Sequence, residues 1–129
     1  EKIKREKVLE HLNKLGLYLH KGLDQLLNEL DVQTLVNYTG HPSWSFLIFK
    51  DKDNTTSWEL KTFFMQEMFK RGIFTIGAQT LSYAHTKRDI DKLLSTYKEV
   101  FSMMKDYVKE GVLQDKLDCD PLKPLFSVR

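Results

Sequence analysis

The four histidines and the single cysteine are the residues of this sequence with the chemistry to bind a metal ion or attack a substrate. His11 and His20 are nine residues apart, which places them on opposite sides of a helix with about 3.6 residues per turn. His41 and His85 have no cysteine or carboxylate at the spacing of a zinc site. Cys119 lies between two aspartates, whose charges oppose the reactive thiolate form. We therefore predict no metal site and no catalytic residue.

Two segments carry clusters of uncharged hydrogen-bonding groups. Residues 41–45 place a tryptophan and two serines at the start of a predicted strand, and residues 79–86 place amide, hydroxyl and imidazole groups at the edge of another. Turn formation and helix capping account for many of these residue types. The alternative, which the sequence leaves open, is that both segments face a neighbouring active site.

No phosphate-binding motif of the P-loop or dinucleotide type occurs in the chain. The glycine pair Gly72 and Gly77 is explained by the end of a helix followed by a loop. The apolar residues Phe63, Phe64, Met68 and Phe69 have helical spacing, and we expect them in the hydrophobic core rather than around a cofactor.

Composition predicts one globular domain. The chain has 129 residues, of which 41% are apolar and 29% charged, and this balance supports a single core. Twenty basic and eighteen acidic side chains are interleaved, so no field forms that would attract nucleic acid or an anionic membrane. A single cysteine indicates a reducing compartment, and we expect a cytoplasmic protein. Because Glu1 is not a start methionine, we also expect a piece of a longer chain.

The first predicted helix is long and amphipathic. Apolar residues recur at intervals of three and four from Val8 to Leu30. Gly16 and Gly22 lower its helix propensity slightly. An alternative expectation is that these glycines let another backbone come close to the helix.

Two further helices have recognisable starts and ends. Thr56 and Glu59 have the spacing of a capping box, in which each side chain binds the other's backbone N–H. Thr86 has the residue type of an N-cap, with Asp89 near the positive end of the helix dipole. The glycines predicted to end the two helices are Gly72 and Gly111.

Four short strands complete the predicted fold. They comprise residues 35–39, 44–49, 73–76 and 81–84, with a turn at residues 40–42. The second strand is apolar on both faces, which predicts a position inside the sheet. The fold class is therefore α+β in the order α-β-β-α-β-β-α, with a small, mainly antiparallel sheet of about four strands and helices packed on one face.

The end of the chain has no pattern typical of a helix or a strand. Residues 112–129 contain two prolines and show no periodicity. We predict one domain over residues 1–111 and an extended tail over residues 112–129 that packs on it through Leu122, Leu125 or Phe126.

Three segments together carry a family resemblance. These are Lys70-Arg71-Gly72-Ile73-Phe74, Leu81-Ser82-Tyr83-Ala84-His85-Thr86 and Asp89-Ile90-Asp91. They resemble the C-terminal small domain of class III pyridoxal-phosphate aminotransferases, in the branch of glutamate-1-semialdehyde aminomutase. The opening helix, with residues 11–16 and 22–23, is also similar, and the resemblance covers roughly residues 5 to 110.

The resemblance implies that the catalytic lysine and the pyridoxal-phosphate contacts belong to a large domain that precedes this one in the parent chain. This fragment would then bind no cofactor itself. The resemblance also allows a homodimeric parent, in which the small domain would shape the substrate side of the cleft. By this analogy Ser43, Trp44, Gln79 and Thr80 face the substrate. Residues 76–81 lack the arginine that many class III enzymes use to bind a substrate carboxylate, as in the aminomutase-like branch.

We therefore expect the C-terminal domain of a pyridoxal-phosphate-dependent aminotransferase or aminomutase, which is inactive alone. The alternative is a stand-alone α+β module that binds a small molecule or mediates dimerisation. A pocket with converging polar groups would favour the module. A broad exposed apolar face would favour the fragment.

Overall fold

The computed structural model of the protein describes residues 1, 4 and 7–124. These residues form three α-helices and three strands between residues 8 and 110, which confirms the predicted α+β class. In chain order the elements are α1 (Val8–Leu30), β1 (Val36–His41), β2 (Trp44–Phe49), α2 (Ser57–Lys70), β3 (Ala78–Thr80), α3 (Lys87–Glu110) and a 3-10 turn (Gln114–Lys116).

The sheet is antiparallel with the order β1-β2-β3, so β2 is central as predicted. The sheet has three strands rather than four. Residues 73–76 and 81–84 form no strand, and β3 occupies the segment predicted to connect them. Gly77 adopts a φ of 90°, which a side chain would disfavour. Its carbonyl accepts a hydrogen bond from the Leu47 N–H at 2.8 Å, so strand pairing begins only there.

The core lies between the inner face of the sheet and the helices. On β2, Ser45 and Leu47 point inward and are buried, as the two-residue period of a strand requires. The ring of Phe64 lies 5.7 Å from that of Tyr97 and 5.2 Å from that of Phe49. The predicted core residues Phe63, Phe64 and Met68 are buried. The prediction for Phe69 is wrong, because 41% of its surface is exposed.

Both predicted N-caps are present as capping boxes. The Thr56 N–H donates to Glu59 Oε2 at 2.7 Å, and the Thr86 N–H donates to Asp89 Oδ2 at 2.8 Å. Gly72 and Gly111 have φ values of 76° and 71° just beyond the helices that they end, as predicted. Local sequence therefore defines where α2 and α3 begin and end.

The tail is less extended than predicted, because a buried Leu113 anchors the 3-10 turn. The side chain of Gln66 then binds the backbone on both sides of Leu117. Its Nε2 donates to the carbonyl of Lys116 at 2.9 Å, and its Oε1 accepts from the N–H of Asp118 at 2.7 Å. The N–H of Leu122 donates to Thr62 Oγ1 at 2.8 Å. The other predicted contacts, Leu125 and Phe126, lie outside the described residues.

Within the described part of the chain, no helix is both long enough and apolar enough to span a lipid bilayer.

Candidate functional site

The hairpin between β1 and β2 is held in place by α1. A Cβ on Gly16 would lie 2.2 Å from the carbonyl oxygen of Pro42, so only glycine permits this approach. This contact confirms the expectation that Gly16 admits another part of the chain. At the hairpin tip, the imidazole Nδ1 of His41 lies 2.9 Å from Ser43 Oγ. The hairpin tip is therefore packed directly against α1.

Trp44 and Thr80 are brought side by side by the pairing of β2 with β3. Both side chains are exposed, and Trp44 keeps 59% of its surface accessible. The Trp44 ring contacts the ring of Phe46, with 5.3 Å between the centroids. The N–H of Leu81 donates to the Ser43 carbonyl at 3.1 Å, which places Ser43 at the same end of the sheet. Three of the four predicted substrate-facing residues thus form one cluster.

Gln79 is separated from that cluster because its side chain points into the interior and is 5% exposed. Its Oε1 accepts from Ser45 Oγ at 2.6 Å, and its Nε2 donates to the Tyr97 hydroxyl at 3.1 Å. Burial raises the pKa of Tyr97 to about 12, so this phenol is neutral at physiological pH. Gln79 therefore holds β2, β3 and α3 together.

A surface pocket of about 300 Å³ lies between β3 and the start of α3. Gln79 and Tyr97 are among its lining residues, and apolar side chains such as Leu93 contribute much of the wall. Its lysine, Lys92, is exposed, and the carboxylate of its aspartate, Asp89, is occupied by the Thr86 capping box. These groups do not fit a pyridoxal-phosphate site, which needs a buried lysine and an acid free to bind the pyridine nitrogen.

The segment before α3 packs on α1 through histidine contacts. His11 Nε2 lies 3.0 Å from the carbonyl oxygen of His85, and the His11 ring meets Tyr83 edge-on at 5.1 Å. The N–H of Ser82 donates to His85 Nδ1 at 2.9 Å. These contacts give His11 and His85 structural roles.

His20 lies away from this segment, and its ring packs against Tyr38 at 4.7 Å. Burial lowers the pKa of His20. Burial and a hydrogen bond to Asp24 raise the pKa of Tyr38 to about 12. Among the described residues, no three His, Cys, Asp or Glu side chains cluster closely enough to hold a metal ion.

The sheet has a solvent-facing side that carries exposed apolar residues. We call the outward positions of β1, β2 and β3 the outer face. They are Asn37, Thr39, His41, Trp44, Phe46, Ile48, Ala78 and Thr80. The sequence prediction did not include this surface, because apolar residues on both faces of β2 indicated only a position inside the sheet. The signal was present in the alternation of large apolar residues at Trp44, Phe46 and Ile48.

Comparison with known proteins gives a likeness in fold. No protein-family model matches the chain, and no curated protein matches it. Among solved structures, it is similar to the pyridoxal-phosphate internal aldimine form of the FumI protein from Sphingopyxis sp. MTA144. The TM-score is 0.67 with 22% sequence identity over 84% of this chain. The chain spans only 26% of the FumI chain.

The likeness shows that this fold also occurs as a part of a larger pyridoxal-phosphate protein. This likeness agrees with the fold expected from the family resemblance, which rests on residues 70–74, 81–86 and 89–91.

Proposed function

We propose that this chain is the C-terminal small domain of a pyridoxal-phosphate-dependent aminotransferase or aminomutase of class III, in the branch of glutamate-1-semialdehyde aminomutase. The observation that carries the proposal is the shared fold: the chain matches 26% of the chain of FumI, a pyridoxal-phosphate protein. The sequence motifs leading into and out of β3 support the class III assignment. The large domain of the same parent supplies the lysine and the coenzyme contacts.

In this role the chain shapes the substrate side of the cleft. Ser43, Trp44 and Thr80 offer hydroxyl groups and an aromatic surface at one end of the outer face. They provide no positive charge for a carboxylate, which distinguishes the site from an arginine clamp. Gln79 contributes by positioning β3, because both ends of its amide are already hydrogen-bonded.

The proposal predicts that the purified 129-residue chain neither binds pyridoxal phosphate specifically nor transfers an amino group. Equimolar coenzyme would be added, followed by borohydride reduction and mass spectrometry of the peptides. The expected result is no adduct concentrated on one lysine, since the pocket has only the exposed Lys92. A stoichiometric adduct at one position, with a Schiff-base absorbance, would show that the catalytic lysine lies in this chain.

Reading the DNA upstream of the codon for Glu1 tests the same proposal independently. A continuous frame that encodes a pyridoxal-phosphate domain with a lysine in a glycine-rich setting is expected. A stop codon immediately upstream would refute the assignment.

A stand-alone binding module is the second candidate, and the pocket of about 300 Å³ beside β3 is the observation that favours it. A ligand that binds only the folded state raises the midpoint of thermal unfolding. Screening small molecules against the isolated chain therefore separates the two candidates, because the fragment hypothesis predicts no such shift.

A further inference from the structure

One face of α1 packs against the hairpin of β1 and β2 through residues that are four positions apart. Gly16, His20 and Asp24 follow one another along this face. Gly16 lies against the carbonyl of Pro42. The His20 ring packs on the ring of Tyr38 with 4.7 Å between the centroids, and the Tyr38 hydroxyl donates to Asp24 Oδ1 at 2.7 Å. His20 therefore lies in the middle of the contact that holds the hairpin on the helix.

The imidazole of His20 is incompletely hydrogen-bonded in this contact. Its Nε2 is buried and has no hydrogen-bond partner among the described residues. A neutral imidazole carries a hydrogen on only one of its two nitrogens, whereas the imidazolium ion carries one on both. Protonation of His20 therefore places an N–H donor without an acceptor in a buried position, which costs free energy.

The titratable groups around His20 do not offset this cost. Burial, the largest influence, lowers the pKa of His20 from its ordinary value of 6.5, and the charge of a protonated His41 on β1 lowers it further. The charge of Asp24 on α1 acts in the opposite direction and is weaker than burial. Burial and the hydrogen bond to Asp24 raise the pKa of Tyr38 on β1 to about 12, so this phenol stays neutral and gives the imidazolium no counter-charge.

We infer that His20 is a pH-sensitive switch, which holds the β1–β2 hairpin on α1 while it is neutral and releases the hairpin when it is protonated. In the released form the imidazole meets water and takes up a proton near pH 6.5. In the packed form it binds a proton only at a lower pH. The contact is therefore fully stable above about pH 6.5 and weakens as the pH falls below this value. It stops weakening once the pH is below the pKa of the packed imidazole.

The switch acts on residues that the proposed function places beside the substrate. Ser43 and Trp44 lie on the hairpin, and its contact with α1 fixes where they stand. In mildly acidic solution they lose that fixed position, whereas the core around Phe64 and Tyr97 does not include His20 and stays packed. This consequence rests on the proposed function, but the switch itself does not.

Hydrogen exchange with mass spectrometry tests the switch in the 129-residue chain. Rates would be measured at about pH 7.5 and about pH 5.5, on either side of the ordinary histidine pKa, and corrected for the intrinsic effect of pH. Amides of residues 36–49 should lose protection at the lower pH, by up to about tenfold per pH unit, the limit set by one proton. Amides of α2 should keep theirs, because the release is local. Equal losses in both regions would show general destabilisation and overturn the switch.

A variant without the titrating group isolates the role of His20. His20→Phe keeps an aromatic ring and should be at least as stable as the parent at neutral pH, because the nitrogen that it removes has no partner. Its hairpin should exchange at the same corrected rate at both pH values. His11→Gln removes a histidine of the same helix that packs on the segment before α3, and it should retain the response of the parent. A full response in His20→Phe would refute the switch.

An NMR titration of the unmodified chain needs no variant. The imidazole of His20 should titrate below its ordinary pKa of 6.5, and the ring signals of Tyr38 should change with it. Titration at or above 6.5 would contradict the switch. These experiments involve neither coenzyme nor turnover, so their failure leaves the proposed function standing. A parent chain that holds no pyridoxal phosphate would refute the proposed function and leave the switch standing.

Discussion

At the scale of single residues, one glycine and one glutamine determine how the candidate site is built. Gly16 allows the carbonyl of Pro42 to lie against α1, which places the hairpin that carries Ser43 and Trp44. Gln79 links Ser45 to Tyr97 in the interior. An unpaired buried polar group costs roughly 1–3 kcal/mol, so the satisfied amide ties β3 to its neighbours. Neither residue contacts the surface where substrate is proposed to lie.

Gly16→Ala should destabilise the fold by about 1–3 kcal/mol, the usual cost of inserting a methyl group into a tightly packed contact. The new Cβ would stand 2.2 Å from the carbonyl oxygen of Pro42, so the hairpin or the helix must shift. Urea unfolding measures the loss. Asn13→Ala, at an exposed position of α1, is the control and should cause no loss. Equal stability of Gly16→Ala and the parent would contradict the close contact.

At the scale of the element, the stability of the N-terminus of α3 depends on pH through the carboxyl group of Asp89. Asp89 accepts hydrogen bonds from the backbone N–H and the hydroxyl of Thr86. The backbone bond first, and then the side-chain bond, lower the pKa of Asp89 below its ordinary value of 3.8. A carboxyl group with a lowered pKa in the folded state stabilises that state only while ionised. This contribution is present above about pH 3.8 and is lost as the pH falls through the folded-state pKa.

Asp89→Asn should therefore reduce stability at neutral pH, and its deficit relative to the parent should shrink toward zero as the pH falls below the pKa of Asp89. The measurement is urea unfolding of both proteins across the acidic range. Asp106→Asn removes an exposed carboxylate from the C-terminal half of α3 and should show no such deficit, because that end of the helix dipole disfavours negative charge. A deficit that is constant with pH would exclude this role for the ionised carboxylate.

At the scale of the whole molecule, the tail packs over α2, whereas the outer face of the sheet stays exposed. The tail closes over α2 through Gln66, Lys70 and Thr62, with the Lys70 ammonium 2.8 Å from Asp118. The ion pair is exposed and contributes little, so the backbone bonds of Gln66 and the buried Leu113 hold the tail. The outer face of the sheet has no such cover among the described residues. The chain thus covers one of its own surfaces with the tail and leaves the apolar outer face of the sheet exposed to solvent.

Gln66→Ala should release the tail while leaving the core intact. Cleavage by trypsin after Lys116 should accelerate, because the carbonyl of Lys116 and the N–H of Asp118 lose their partner. Proteolysis time courses analysed by mass spectrometry measure the rate. Gln25→Ala, whose amide binds Glu29 one helical turn away, should digest like the parent. An unchanged rate at Lys116 in the Gln66 variant would show that other contacts retain the tail.

Much of the helical structure could be predicted from the sequence because its determinants are local. The pairs Thr56 with Glu59 and Thr86 with Asp89 lie within one turn, and the glycines after the helices act through their own φ angles. The strand ends were harder to predict, because the pairing of β3 depends on Gly77 meeting Leu47, which is distant in the chain. The two segments proposed to face the substrate were also singled out from residue types, and that role stays a prediction.

What only the tertiary structure decided is which side of each strand is covered. A period of two tells which residues share a face, but burial depends on what packs against that face. Gln79 and Thr80 are adjacent in sequence, yet one is enclosed beneath α3 and the other meets solvent. For the same reason Phe69, with the residue type of a core position, is exposed, and the apolar row of β2 remains open on its outer side.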